Sequence, residues 1–103
     1  MTSDEFNQVV TSARQRQDEL LQRKGHDYTR ANPDRLYNFK HTGESIGVDP
    51  LKVWAVYAGK HWDAVMTFVK TGKVESEAIV GRLDDLHNYL YLLEGLLKEN
   101  NNA

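Results

Sequence analysis

The chain has 103 residues, 27% of them charged and 40% hydrophobic, with a formal charge of −2 at pH 7 and no cysteine. One hydrophobic core fits that length, so residues 1–103 read as a single helical domain with 1–2 and 100–103 frayed. The lack of a basic excess argues against duplex nucleic acid, the lack of thiols excludes disulfides and thiolate metal sites, and no run approaches the ~18 apolar residues of a membrane span.

The start, Met1 to Glu5, is acidic and has no apolar signal core, which makes the cytoplasm the expected compartment. Thr2 and Glu5 have the spacing of a capping box, and Phe6, Val9, Val10, Ala13, Leu20 and Leu21 mark one face of a first helix. Gln17 interrupts that face in the middle. Arg23 and Lys24 sit where cations suit the negative end of a helix, and Gly25 is the expected stop.

His26 to Asn32 shows no period and reads as the longest loop, a common place for function. Asn32-Pro33 then signals a helix start, and Leu36, Phe39, Gly43 and Ile46 give a short second helix ended by Gly47. Asp49-Pro50 repeats the signal. Leu51, Trp54, Ala58, His61, Val65 and Phe68 carry a third helix to Gly72.

From Glu75 to Glu99 a fourth helix is expected, with Ile79, Leu83, Leu86, Leu90, Leu93 and Leu97 recurring at alternating steps of four and three as its buried stripe. A second row beside it, Arg82, Asp85, Tyr89, Leu92 and Leu96, begins charged and ends apolar. The short connection from Thr71 to Ser76 makes helices three and four antiparallel neighbours. That sets Lys60 to Asp63 against Arg82 to Asn88. No strand alternation, repeat or low-complexity tract appears, so the fold class is all-α, a small helical bundle of three long helices and one short.

Several polar residues fall on or beside these apolar stripes. A half-buried charge costs free energy unless it is paired or binds something, so the charged start of helix four marks a candidate site. His61, inside the stripe of helix three, reads first as a hydrogen-bonded core residue. Lys60 with Asp63, and Arg82 with Asp85, have the spacing of simple intrahelical ion pairs. Asp84, Asp85 and Asn88 together offer oxygen and amide groups for a hard cation or a sugar hydroxyl. Glu75 and Glu77 also suit the positive end of their own helix. Tyr28, Trp54, Tyr57, Trp62 and Tyr89 supply the aromatic surface on which a nucleobase stacks. No phosphate-binding glycine loop, Ser-His-Asp order or HExxH motif is present.

Lys24-Gly25-His26-Asp27-Tyr28, Asn38-Phe39, Lys60-His61, Val74-Glu75-Ser76-Glu77 and Arg82-Leu83-Asp84-Asp85-Leu86-His87-Asn88-Tyr89-Leu90 together resemble small phage and prophage proteins of the nucleotide modification associated type. Those are similar in turn to the all-α nucleoside triphosphate pyrophosphohydrolases of the MazG and dimeric dUTPase group. The resemblance covers about two thirds of the chain. It implies a MazG-like bundle, a homo-oligomer, working in the host cytoplasm if viral, with a nucleotide pocket between helices. It also implies Mg2+ held by Asp85, Glu75 and Glu77, with Asp85 and Glu77 as catalytic acids. Lys24, Asp27, Tyr28, Asn38, Lys60, His61, Arg82, Asn88 and Tyr89 are the nucleotide-binding residues it suggests.

The pyrophosphohydrolase pattern has an ExxE pair on one helix and an ExxD pair on a later one. Here Asp85 matches the final acid, whereas Lys60, Asp63 and Arg82 stand where other acids are expected. Metal-assisted hydrolysis needs several carboxylates, while Lys and Arg beside one aspartate suit direct phosphate binding. Three functions follow as expectations: a magnesium-dependent nucleoside triphosphate pyrophosphohydrolase, a binder or sponge that sequesters a signalling nucleotide without turnover, and a helical oligomeric interaction module.

Overall fold

The computed structural model describes residues 1–29, 32–73 and 78–100, apart from the side chains of residues 25–29. Its elements are α1 (Ser3–Thr29), α2 (Tyr37–Ile46), α3 (Pro50–Thr71) and α4 (Ile79–Glu99), three long helices and one short, with no strand among the described residues. The all-α bundle is the one the periodicities predict. None of the described helices is long and apolar enough to cross a membrane.

The helix starts follow their capping residues. The Thr2 hydroxyl accepts the backbone N–H of Glu5 at 3.1 Å. At the next turn of the chain, Asn32 Oδ1 accepts from Asp34 N and Asp34 Oδ1 accepts from Leu36 N, so polar side chains satisfy the backbone that leads into α2. Asp49 accepts from Leu51 N at 2.8 Å with Pro50 in the first turn of α3. Gly47 and Gly72, at φ 73° and 72°, end α2 and α3 in the left-handed conformation that glycine adopts without strain.

Two boundaries differ from the sequence reading. α1 does not stop at Gly25; it runs on to Thr29, so the stretch expected as a loop from His26 is helical backbone. A glycine inside a helix costs only about 1 kcal/mol, too little to end the helix by itself. α2 begins at Tyr37, because Pro33 to Leu36 form the capped turn before it.

Leu36, Phe39, Val53 and Leu96 form the core, with Leu51, Trp54, Tyr57, Tyr89 and Leu92 packed around them. The core thus lies where α2, α3 and α4 meet. α3 and α4 are antiparallel: His61 faces Asp85 and Tyr89, while the Trp54 indole N–H donates to the Tyr89 carbonyl at 2.6 Å.

α4 is turned differently from the expectation. Leu83 and Leu90, in the row expected to be buried, are 42% and 55% exposed, and the buried positions of this helix are Asp84, Asp85, Asn88 and Leu96. Leu90 follows Asn88 by two residues, about 200° round the helix, so burying one exposes the other. The inward face is polar because α1 and α3 supply partners for it. Arg16, Gln17 and Lys24 reach it from one side and His61 from the other.

Candidate functional site

The polar inward face of α4 has two adjoining parts. In the first, Asp84 accepts from Arg16 Nε at 2.9 Å, from Arg16 Nη2 at 3.4 Å and from Gln17 Nε2 at 3.1 Å. Burial by itself raises the Asp84 pKa, but the hydrogen bonds from Arg16 and Gln17, with the charges of Arg16 and His87, outweigh it and hold the carboxyl below its usual range. Asp85, the next residue, accepts from Lys24 Nζ at 2.9 Å, and its other oxygen lies 3.7 Å from His61 Nδ1. A crevice of about 360 Å³ between α1 and α4 runs past these carboxylates, with Arg16, Arg23 and Lys24 on its wall facing Glu19, Asp84 and Asp85.

The second part is a cavity of about 150 Å³ on the other side of Lys24. Phe39, Tyr57 and Tyr89 give it aromatic walls, and Lys24, Arg35, Asn38 and Asn88 give it polar ones. The rings are fixed by one another. Tyr89 meets Phe39 edge-on with centroids 6.4 Å apart and lies 5.0 Å from the His61 ring, while Phe39 and Tyr57 are tilted at 6.1 Å. Such spacings suit aromatic packing and leave ring faces for a further planar group.

Asn88 is 4% exposed, and its side-chain oxygen has no hydrogen-bond partner among the described residues. A buried carbonyl oxygen without a donor is costly and rare. Here it belongs to a residue that lines the cavity.

Of the residues the sequence singles out, Lys24, Asn38, Asn88 and Tyr89 line this cavity, and Asp85 and His61 stand immediately beside it. Lys60 does not line it: its ammonium is on the outer side of Tyr57, 5.9 Å from the ring centroid. Arg82 is half-buried on α4 and lines neither cavity nor crevice. The expectations for Asp27, Tyr28, Glu75 and Glu77 lie outside the described side chains.

Arg16 and Arg35 carry no sequence signal, since each occupies an ordinary solvated position of its helix or turn. Gln17 has one, the break it makes in an apolar face. Among the described residues no three His, Cys, Asp or Glu side chains gather as a ligand set for a metal ion. Asp85 Oδ1 is already held by the Lys24 ammonium, which makes that oxygen a poor ligand for a hard cation.

Against protein-family models, curated proteins and solved structures, the chain matches none.

Proposed function

We propose that the chain is a nucleotide-binding protein whose cavity takes the base and whose neighbouring cations take the phosphates. The observation that carries this is the cavity itself, where the Phe39, Tyr57 and Tyr89 rings stand with the carboxamides of Asn38 and Asn88 and the cations Lys24 and Arg35. A nucleobase answers all three features at once. It stacks on rings, offers an N–H or amino group to a carboxamide oxygen, and comes attached to anionic oxygens that Lys and Arg bind.

The sizes divide the ligand in the same way. A cavity of about 150 Å³ holds one ring system but falls short of the ~300 Å³ that a drug-sized molecule needs. Sugar and phosphates therefore extend outside it. Lys24 is also a wall of the crevice, where Arg16 and Lys24 are held by Asp84 and Asp85 and Glu19 stands with them, so phosphates that extend into it draw these cations away from their carboxylates. The reading includes no hydrolytic step, because both described carboxylates are already compensated, Asp84 by Arg16 and Asp85 by Lys24. Binding of this kind suits a sponge for a signalling nucleotide as well as a carrier.

A mass balance tests it. The protein is incubated with mixed ribo- and deoxynucleotides plus magnesium, and the free, retained and denaturation-released fractions are analysed by chromatography. Intact nucleotide in the released fraction, lost about tenfold or more in Asn88→Ala and unchanged by chelator, is the expected result. Monophosphate and pyrophosphate in the free fraction would instead assign a pyrophosphohydrolase, and would require Asp85, Glu75 and Glu77 to form its magnesium shell. Nothing retained and nothing cleaved would remove the nucleotide altogether.

A further inference from the structure

One open groove, of about 940 Å³, has no part in the site described so far. It lies between α1, the turn before α2 and the last turns of α4, with Leu21, Leu36 and Tyr91 among its walls. Arg35 and Leu92 are walls of this groove and of the aromatic cavity alike. Along α4 the two spaces follow one another on a single face. Asn88 and Leu92 border the cavity, and Leu92, Gly95 and Glu99 border the groove, in steps of four, three and four.

We infer that the ligand is a dinucleotide, with one base in the cavity, the other in the groove and the linking phosphate at Arg35. This rests on the nucleotide reading of the cavity and extends that ligand by a second base. Three observations carry it. The first is the wall of the groove, where Tyr91, 50% exposed, presents a second ring face and the Gln22 carboxamide can both donate to and accept from the edge of a base. The groove therefore repeats the combination of ring, carboxamide and cation that the cavity has.

The second is Arg35. Its Nη2 donates to the Leu21 carbonyl at 2.8 Å, which ties it across to α1 and uses one of its five N–H groups. No carboxylate among the described residues pairs with it. The two acids on the groove wall, Asp34 and Glu99, are both held by Lys40 at 2.7 Å. In the crevice a phosphate competes with Asp84 for Arg16 and with Asp85 for Lys24; at Arg35 it displaces no carboxylate. The cation that is open to an anion thus stands where the two spaces join.

The third is Gly95. It lies inside α4, where glycine is unfavourable, and a Cβ built there would make only ordinary contact with Leu36 at 3.8 Å. Packing within the chain does not require it. What the missing side chain does is lower the floor of the groove. Asn88 and Gly95, seven residues apart, are separated by about 10 Å along the helix axis. Successive bases of a stacked strand are only ~3.4 Å apart, so the two bases are splayed to either side of Arg35.

Calorimetric titration of the full chain is the test, comparing the common ribonucleoside monophosphates with dinucleotides of the same bases, joined by a phosphodiester or by a diphosphate bridge. One dinucleotide should bind at least about tenfold more tightly than its mononucleotide. Gly95→Leu, which fills the groove floor with a better helix former, should remove that advantage and leave mononucleotide binding unchanged. Tyr91→Ala, at an exposed position, should reduce it by about fivefold or more. Circular dichroism checks that both variants keep their helices. Mononucleotides that bind as tightly as every dinucleotide overturn the inference and leave the cavity reading standing. A dinucleotide advantage that survives both variants also overturns it, by placing the second base outside the groove. No binding of either class removes the cavity reading, and this inference with it.

Discussion

Lys24 and Asp85, 61 residues apart in sequence, meet at 2.9 Å across α1 and α4. The lysine also lines the base-sized cavity, so one ammonium is shared between a structural ion pair and the candidate ligand site. Asp85 thereby restrains the cation that the phosphates would use.

Asp85→Asn should therefore separate the two roles. It keeps the shape and removes the charge facing Lys24, and urea unfolding should show a loss of about 1–3 kcal/mol, because Lys24 keeps some contact with water. Nucleotide affinity should rise, since the ammonium no longer divides its attraction. A drop in affinity to background would mean that the carboxylate itself touches the ligand.

Asp84 predicts an acid dependence of stability. Its folded pKa is depressed below that of the unfolded chain, so its contribution is fully present above the unfolded value, about 4, and is lost as pH falls through the lower folded value. Urea midpoints measured from neutral pH downward should fall in that window. Asp84→Asn should flatten part of the fall. It should also cost about 1–3 kcal/mol at neutral pH, because Gln17 is buried and loses its charged acceptor.

Gly43 supplies a prediction about packing. A Cβ built there comes within 2.5 Å of the Val48 carbonyl oxygen, which belongs to the turn that carries α2 into α3. Backbone cannot yield as a flexible side chain does. Gly43→Ala should destabilise the chain by about 1–3 kcal/mol despite alanine's better helix propensity. An unchanged melting midpoint would show that the turn relaxes freely.

The sequence carries the helices more legibly than it carries their rotation. Thr2, Asp49-Pro50, Gly47 and Gly72 act locally, through bonds within a few residues, and they fall at the ends they announce. Which side of α4 turns inward is decided by partners 24 to 68 residues away in sequence, such as Arg16, Lys24 and His61, and no local period encodes them. The leucine row reads as core because its four-and-three spacing is that of any buried helical stripe, yet Leu83 and Leu90 in it are exposed. What does mark the inward side is polarity out of place: Gln17 breaking an apolar face, and Asp85 leading into Tyr89 and Leu92. Those two signals belong to the buried network, and Asn88 completes it.

The two tryptophans allow the site of binding to be read from emission. Trp54 is half-buried and donates to the Tyr89 carbonyl behind the cavity, while Trp62 is 56% exposed on an apolar face of α3. With Trp62→Phe, the remaining emission comes from Trp54 and should change when nucleotide binds, because Tyr89 is a cavity wall. With Trp54→Phe, it comes from Trp62, which is exposed and does not line the cavity, and should stay unchanged as nucleotide is added. That second variant loses one hydrogen bond and should unfold about 1 kcal/mol more easily, so its emission is read well below its midpoint. If Trp62 emission responds to nucleotide, the apolar face, rather than the Asn88 cavity, is where the ligand sits.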